Sequence, residues 1–313
     1  MRVIQAQSAG FCYGVERAVR MAEEAAAAGG CVMLGSIIHN DSVVRRLEAL
    51  GARQVQSAEE VQPGETVLIR AHGEPVETYR ALEARAVRVL DATCPHVLRI
   101  HRLVERAERE GRTPLIVGED HHPEVIAAAS RSSRSVVLGS AEELAEWLAA
   151  VPTRRTERLL AVAQTTCIRS IWEKCVNFLK KECTNAEIFD TICDATQKRQ
   201  SEAADIAGRV DVMVVVGDRK SANTKHLSEI CSTRCARVYQ IEGAEELRAD
   251  FLNGCSVAGL TAGASTPAGI IKEVYATMSD EIKNVEATEE SFEEMLEKSF
   301  KTLNTGEKVT GIV

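Results

Sequence analysis

The chain has few aromatic residues, 4% of its 313 positions, and more acid than base, for a formal net charge of −8. It also lacks any apolar run near the roughly 20 residues of a membrane span. The acidic balance excludes a general role in binding nucleic acid or an anionic membrane, so any anionic ligand has to be held by a local site. The opening MRVIQAQSAG has neither the basic region nor the apolar stretch of a secretion signal. These absences predict a soluble cytoplasmic protein. With 45% hydrophobic residues the chain can still fill ordinary α/β cores.

Ten cysteines without a secretion signal point to reduced thiols and metal chemistry, not to a disulfide framework. Three of them share one setting. Cys12 in SAGFCYG, Cys94 in DATCP and Cys193 in DTICDAT each close a run of small or apolar residues and open a helix-like segment. There amide dipoles favour a thiolate.

Each cysteine also starts the same sequence of elements. A helical period follows, then a buried-strand pattern (CVMLG, TPLIVG, DVMVVVG), a polar loop, a second helix, and the phrase SAEEV, SAEEL or GAEEL. A last strand ends near His72, Thr165 or Ser265. From cysteine to the glycine closing the first strand (Gly35, Gly118, Gly217) the spacing is 23, 24 and 24 residues. To the alanine of the AEE phrase (Ala58, Ala141, Ala244) it is 46, 47 and 51. A period of this quality predicts repeated supersecondary units. The expected fold is α/β: three pseudo-threefold-related domains with small parallel sheets around a central iron-sulfur site. Their expected bounds are 13–93, 94–192, and 193–278 together with 1–12. In such units ligands collect at strand carboxyl ends and helix N-termini.

Three cysteines from three domains suit an iron–sulfur cluster in which one iron is left open to bind substrate. Cys31, Cys175, Cys183, Cys231, Cys235 and Cys255 read as small buried hydrophobes in strands or helices, and the four-residue spacing of Cys231 and Cys235 fits one helix face as easily as a ligand pair. Cys167, next to Gln164, Thr165 and Thr166, is a candidate fourth ligand. The post-strand loops present His39 and Asn40, then His122, Pro123 and Glu124, then Ser221, Ala222 and Asn223, with His72, Thr165 and Ser265 on the later loops. Imidazoles, hydroxyls, an amide and helix N–H groups make a donor-rich lining for phosphate oxygens. Glu124 is the one acid among them. In a closed anionic pocket its pKa rises, as a proton donor requires. His96, His101, His121 and His226 have no counterpart in the repeat and read as solvated or structural.

These motifs together resemble the 4-hydroxy-3-methylbut-2-enyl diphosphate reductase family. The residues that carry the resemblance are GFCYGVERA, HN at His39, AHG around His72, DATCP, HPEV from His122, QTT from Gln164, DTIC, SANT from Ser221 and TAGAS around Ser265. The resemblance covers about residues 1–278. It implies that Cys12, Cys94 and Cys193 hold a 4Fe-4S cluster with three cysteine ligands and one open iron. It further implies that His39, His72, His122, Ser221, Asn223 and Ser265 hold the diphosphate, that Thr165 bonds the hydroxyl region, and that Glu124 delivers protons. The implied partners are an allylic diphosphate substrate and a ferredoxin or flavodoxin-type electron donor, with no membrane and no nucleic acid. The chain departs from the family motif at Ala222, where a second serine is usual.

Two other readings compete. One is a three-cysteine dehydratase of the quinolinate synthase kind. The other is a metal-stabilised or RNA-associated module, suggested by the acidic, helix-prone tail 279–313. That tail ends in GEKVTGIV, which resembles the first strand of an OB-fold repeat of a ribosomal protein. One strand cannot close a barrel, so RNA binding is expected only if such a module continues.

Overall fold

The computed structural model describes residues 2–279. In chain order these form β1 (Arg2–Gln5), α1 (Tyr13–Ala27), β2 (Cys31–Leu34), α2 (Asp41–Ala49), β3 (Ala52–Val55), β4 (Thr66–Ile69), α3 (Val76–Glu83) and β5 (Arg88–Asp91). The chain continues through α4 (Pro95–Glu110), β6 (Thr113–Val117), α5 (Pro123–Ala129), β7 (Val136–Leu138), α6 (Ala141–Ala150), β8 (Leu159–Ala163), α7 (Arg169–Glu182) and β9 (Ala186–Phe189). Then come α8 (Asp194–Ala207), β10 (Val212–Val216), α9 (Ala222–Ser232), β11 (Val238–Ile241), β12 (Val257–Ala262) and a helical run over 268–279. No helix of the described residues is long and apolar enough to cross a membrane. The tail 280–313, on which the OB-fold resemblance rests, lies outside the described residues.

The strands make three four-stranded sheets, every pairing parallel: β3-β2-β4-β5, β7-β6-β8-β9 and β11-β10-β12-β1. The architecture is therefore α/β with three equivalent units, and the chain's first strand completes the third of them. In each unit the first and third strands are the central pair, and the chain leaves them toward opposite edges. The gap between them is a topological switch point, where a doubly wound sheet opens a crevice at its carboxyl edge.

The fourth strand of each sheet is weakly marked in the sequence. β1, β5 and β9 are edge strands with mostly exposed or half-buried residues, so they show no continuous apolar run. The central strands do. β8 (LLAVA) and β10 (VMVVV) are buried along their whole length, as expected of parallel strands covered on both faces. In β10, Val212, Val214 and Val216 pack with Leu260, Val274 and Met278, while Met213 and Val215 pack with Ala203, Ile206 and Leu227 of α8 and α9.

The repeated AEE phrase does one job in two lengths. At Ser57 the hydroxyl and Glu60 form a capping box around a single turn, whereas Ser140 accepts from Glu143 N at 3.1 Å and opens the ten-residue α6.

Leu160 is fully buried in β8 against Ile100 and Val104 of α4 and Val125 of α5. Leu160→Ala leaves a void in this packing and should cost about 2–5 kcal/mol, read as a lower urea midpoint. A midpoint equal to wild type would mean that this layer is not close-packed.

Candidate functional site

The three cysteines occupy equivalent positions. Each is the N-cap of a helix: Cys12 of α1, Cys94 of α4 and Cys193 of α8. Each backbone N–H donates to a carbonyl at the end of the neighbouring strand, Cys12 to Ala264 (3.2 Å), Cys94 to Ala71 (3.0 Å) and Cys193 to Thr165 (3.0 Å). Asp91 shapes one of these turns by accepting from Thr93 N at 2.8 Å, and Asp190 does the same from Ile192 N at 3.2 Å. α1 also reaches the second unit, through bonds from the Arg17 guanidinium to the Thr93 and Asp91 carbonyls at 3.3 Å. Gly14 lets the thiols approach, because a Cβ there would lie 2.6 Å from Cys94 Sγ.

The thiols open into one cavity lined by all eleven residues singled out in the sequence: Cys12, Cys94, Cys193, His39, His72, His122, Glu124, Thr165, Ser221, Asn223 and Ser265. The last eight lie just beyond the central strands β2 and β4, β6 and β8, and β10 and β12, at the three switch points. Two also cap helices. His122 Nδ1 accepts from Glu124 N at 3.2 Å to cap α5, and Ser221 caps α9 by accepting from Thr224 N at 3.4 Å. Ala222 lines the cavity too and brings no side-chain donor to it.

Several polar atoms here are buried with no partner: His39 Nε2, His72 Nδ1, Asn223 Nδ2 and Ser265 Oγ. The rings of His39, His72 and His122 cluster with centroids 5.0, 5.4 and 6.4 Å apart. One nitrogen from each lies within 4.8 Å of the others, near enough to share one ion. Burial keeps these imidazoles neutral. It holds His39 below its ordinary 6.5 against an upward pull from Asp218, lowers His72 well below it, and pushes His122 down to about 3, with smaller downward contributions from neighbouring histidines on the last two and from Arg70 on all three.

Glu124 is fully sequestered, and burial raises its carboxyl above the ordinary 4.5. Thr165 offsets part of this, donating its backbone N–H to Oε1 and its hydroxyl to Oε2, both at 2.6 Å. The cysteine thiols face a similar penalty. Burial raises Cys94 to about 11, and helix amides of His96 and Val97 pull it back.

Some residues differ from expectation. Cys167 does not line the cavity. It packs with Trp172 and Cys175 in an apolar cluster, where burial lifts its thiol to about 12, so it is no fourth ligand. Cys235 lies beyond the end of α9, not on one helix face with Cys231, and Cys255 is in the loop before β12. His96 is exposed, as expected, and also lines the cavity. His101 and His226 are buried, the latter between Thr166 O (2.7 Å) and Glu119 (3.1 Å).

Sequence reasoning missed Gln164, Arg70 and Arg199. Gln164 ties the loops after β6 and β8 by accepting from Glu119 N (3.0 Å) and donating to Thr166 Oγ1 (2.9 Å). Arg70 pairs with Glu74 at 2.6 Å behind the histidines, and Arg199 lines the cavity. The unbroken phrase QTT was a signal for Gln164. Neither arginine had one, because each lies inside an ordinary strand end or helix.

Comparison with known proteins agrees along most of the chain. The family described as LytB protein matches residues 3–279. Curated 4-hydroxy-3-methylbut-2-enyl diphosphate reductases from Caldanaerobacter subterraneus and Geobacter sulfurreducens are 37% and 42% identical. They cover 93% and 90% of this chain, and 100% and 98% of their own lengths. A solved structure of (E)-4-hydroxy-3-methyl-but-2-enyl diphosphate reductase, described as the terminal enzyme of the non-mevalonate pathway, is 38% identical. It covers 90% of this chain and 100% of its own, with a TM-score of 0.63. The reductase structure from Plasmodium falciparum is 25% identical, covers 88% and 87%, and superposes with a TM-score of 0.83.

The buried imidazoles set a pH dependence. His101, outside the cavity, is likewise pushed down to about 3 by burial. In the unfolded chain each histidine takes a proton near 6.5, while in the fold His101 and His122 refuse it until about 3. Stability should therefore be full above 6.5 and fall as pH drops through that value. Each such group can contribute up to about 1.4 kcal/mol per pH unit. Denaturant unfolding at pH 7.5 and 5.5 reads this, and His101→Gln should flatten the slope by one proton's share. A flat wild-type profile would contradict the buried-neutral description.

Proposed function

The chain belongs to the LytB protein family, and from that membership we propose that it reduces 4-hydroxy-3-methylbut-2-enyl diphosphate to isopentenyl and dimethylallyl diphosphate, the last step of the methylerythritol phosphate route. The observation that carries this reading is the set of buried, partnerless donors on His39, His72, Asn223 and Ser265, facing the same cavity as three thiols and a buried acid. Unpaired polar atoms cost about 1–3 kcal/mol each when buried. A diphosphate would satisfy them together, and its oxygens accept from neutral imidazole, amide and hydroxyl donors without a cluster of cations.

The residues fit the iron–sulfur group that the family resemblance implies. Three equivalent N-cap cysteines meet across the Gly14 approach, each with helix N–H groups beneath it. In our reading Cys12, Cys94 and Cys193 hold a 4Fe-4S cluster. Such a group supplies low-potential electrons and an open iron that acts as a Lewis acid. His39, His72, His122, Ser221, Asn223 and Ser265 bind the diphosphate and thereby fix the allylic end toward the thiols. Thr165 sits beside the substrate hydroxyl. Two electrons and two protons break the allylic C–O bond, release its oxygen as water and form a new C–H bond.

Glu124 delivers protons. Burial shifts its pKa upward, toward the range a proton donor needs, and the two Thr165 donors stabilise the carboxylate it becomes. We assign the electrons to a ferredoxin or flavodoxin-type donor and the protein to the cytoplasm. We also read the three sheets as domains 13–93, 94–192 and 193–278 with 1–12.

Anaerobic enzyme given the diphosphate and a low-potential donor should yield both isomers. A preparation with full iron and sulfide that consumes no substrate would overturn the assignment. Glu124→Gln should retain the cluster and bind substrate while losing about 10²–10⁴-fold in turnover, as general-acid losses do. Near-normal rates would remove Glu124 from the chemistry. Gly14→Ala puts a methyl against Cys94 Sγ and should lower iron and sulfide content, with the α/β circular dichroism retained. Full cluster loading would show that the close approach is not needed.

A further inference from the structure

Arg199 is a buried charge that the chemistry above does not use. It lies on α8, is 4% exposed, and lines the central cavity together with Cys12 and Cys193. Its Nη2 donates to Gly10 O at 2.5 Å and its Nη1 to Ala195 O at 3.3 Å, while its buried Nε has no partner. Gly10 leads directly into Cys12, and Ala195 follows Cys193 by two residues. The guanidinium therefore ties the Cys12 loop, through Gly10, to the first turn of its own helix α8, which opens at Cys193. α8 holds the first loop at another point as well, where Glu202 accepts from Gln7 N (2.8 Å) and Ser8 N (2.9 Å).

A cation in this position needs a reason. Arginine stays charged in proteins, and burying the charge is unfavourable unless negative charge faces it. Arg199 shares the cavity with Cys12 and Cys193; burial lowers its pKa, and negative charge on those two sulfurs and on Glu202 pulls it back up.

We propose that Arg199 is a positioning residue that holds the Cys12 loop through Gly10 and raises the reduction potential of the iron–sulfur group carried by Cys12, Cys94 and Cys193. The proposal rests on the cluster reading above. The physics is one of sign. Reduction adds an electron, so a fixed positive charge beside the thiolates favours the reduced state, the more so in a site of low dielectric. Replacing the charge by an apolar chain shifts the equilibrium toward the oxidised state.

The test is an anaerobic redox titration of the holoenzyme, followed by electron paramagnetic resonance, with iron and sulfide content measured alongside. Arg199→Met should disfavour reduction at least tenfold, a potential lower by about 59 mV for a one-electron couple. Arg199→Lys keeps the charge and should move less than half as far. Glu202→Gln loosens the same loop but removes a negative charge, so its potential should stay or rise. The proposal is overturned if Arg199→Met carries wild-type iron at an unchanged potential, or if Glu202→Gln lowers the potential equally.

A second measurement covers variants that fail to load. In cluster-free protein, amide hydrogen exchange in the segment 8–12 should be several-fold faster in Arg199→Met than in wild type, because the bond to Gly10 O is lost. Equal exchange overturns the proposal. Wild-type protein isolated anaerobically without iron or sulfide would instead sink the cluster reading, and the exchange rates would still judge the hold on the loop.

Discussion

A parallel strand delivers its carboxyl end, and the N–H groups of the helix that follows, to the same edge of the sheet. Where two adjacent strands send the chain in opposite directions, that edge opens into a crevice. In this protein three such crevices share one cavity, between β2 and β4, β6 and β8, and β10 and β12. The cysteines sit one strand further out, after β5, β9 and β1, and their backbone N–H groups bond back to the neighbouring strand ends. The polar lining and the thiol centre are thus fixed by the same short hydrogen bonds. A shift of one loop moves both.

This arrangement forces many polar groups out of water. Burial is then the largest influence on their protonation: it pushes imidazoles toward neutral and carboxyls toward protonated. It lowers the pKa of His39, His72 and His122 and raises that of Glu124 for the same reason. Two cationic side chains stay close by, Arg70 paired with Glu74 and Arg199 facing the thiols. The rest of the lining is close to charge-neutral, which suits an acidic chain that must admit an anion without an extended basic surface.

Much of this was legible in the sequence, for a specific reason. Repetition in register turned single cysteines and loop polar residues, each weak alone, into equivalent positions, and the central strands are buried enough to show as apolar runs. What escaped had no such signature. β1, β5 and β9 are edge strands half open to solvent, so VRVLD and AEIF look like loop sequence. Arg199 stands in an amphipathic helix beside Gln197 and Lys198, where a third polar residue looks solvated. Only the packing of α8 against the first loop reveals that it points inward. Cys167 erred the other way. Its neighbours in QTTC belong to the site, but a turn after β8 sends its thiol into the apolar cluster around Trp172.

An anion entering the cavity changes every one of these balances in the same direction. Negative charge near a titratable group favours its protonated form, so it raises the depressed imidazoles and lifts Glu124 further. The imidazoles then become better donors to the ligand that perturbs them, and ionisation of the acid is further disfavoured. In the proton delivery proposed for Glu124, the carboxylate left behind is not abandoned. Thr165 already offers it a backbone N–H and a hydroxyl, each at 2.6 Å. The same residue's carbonyl receives the N–H of Cys193. Thr165 therefore joins the buried acid to the thiol centre through bonds to Glu124 and to the Cys193 backbone.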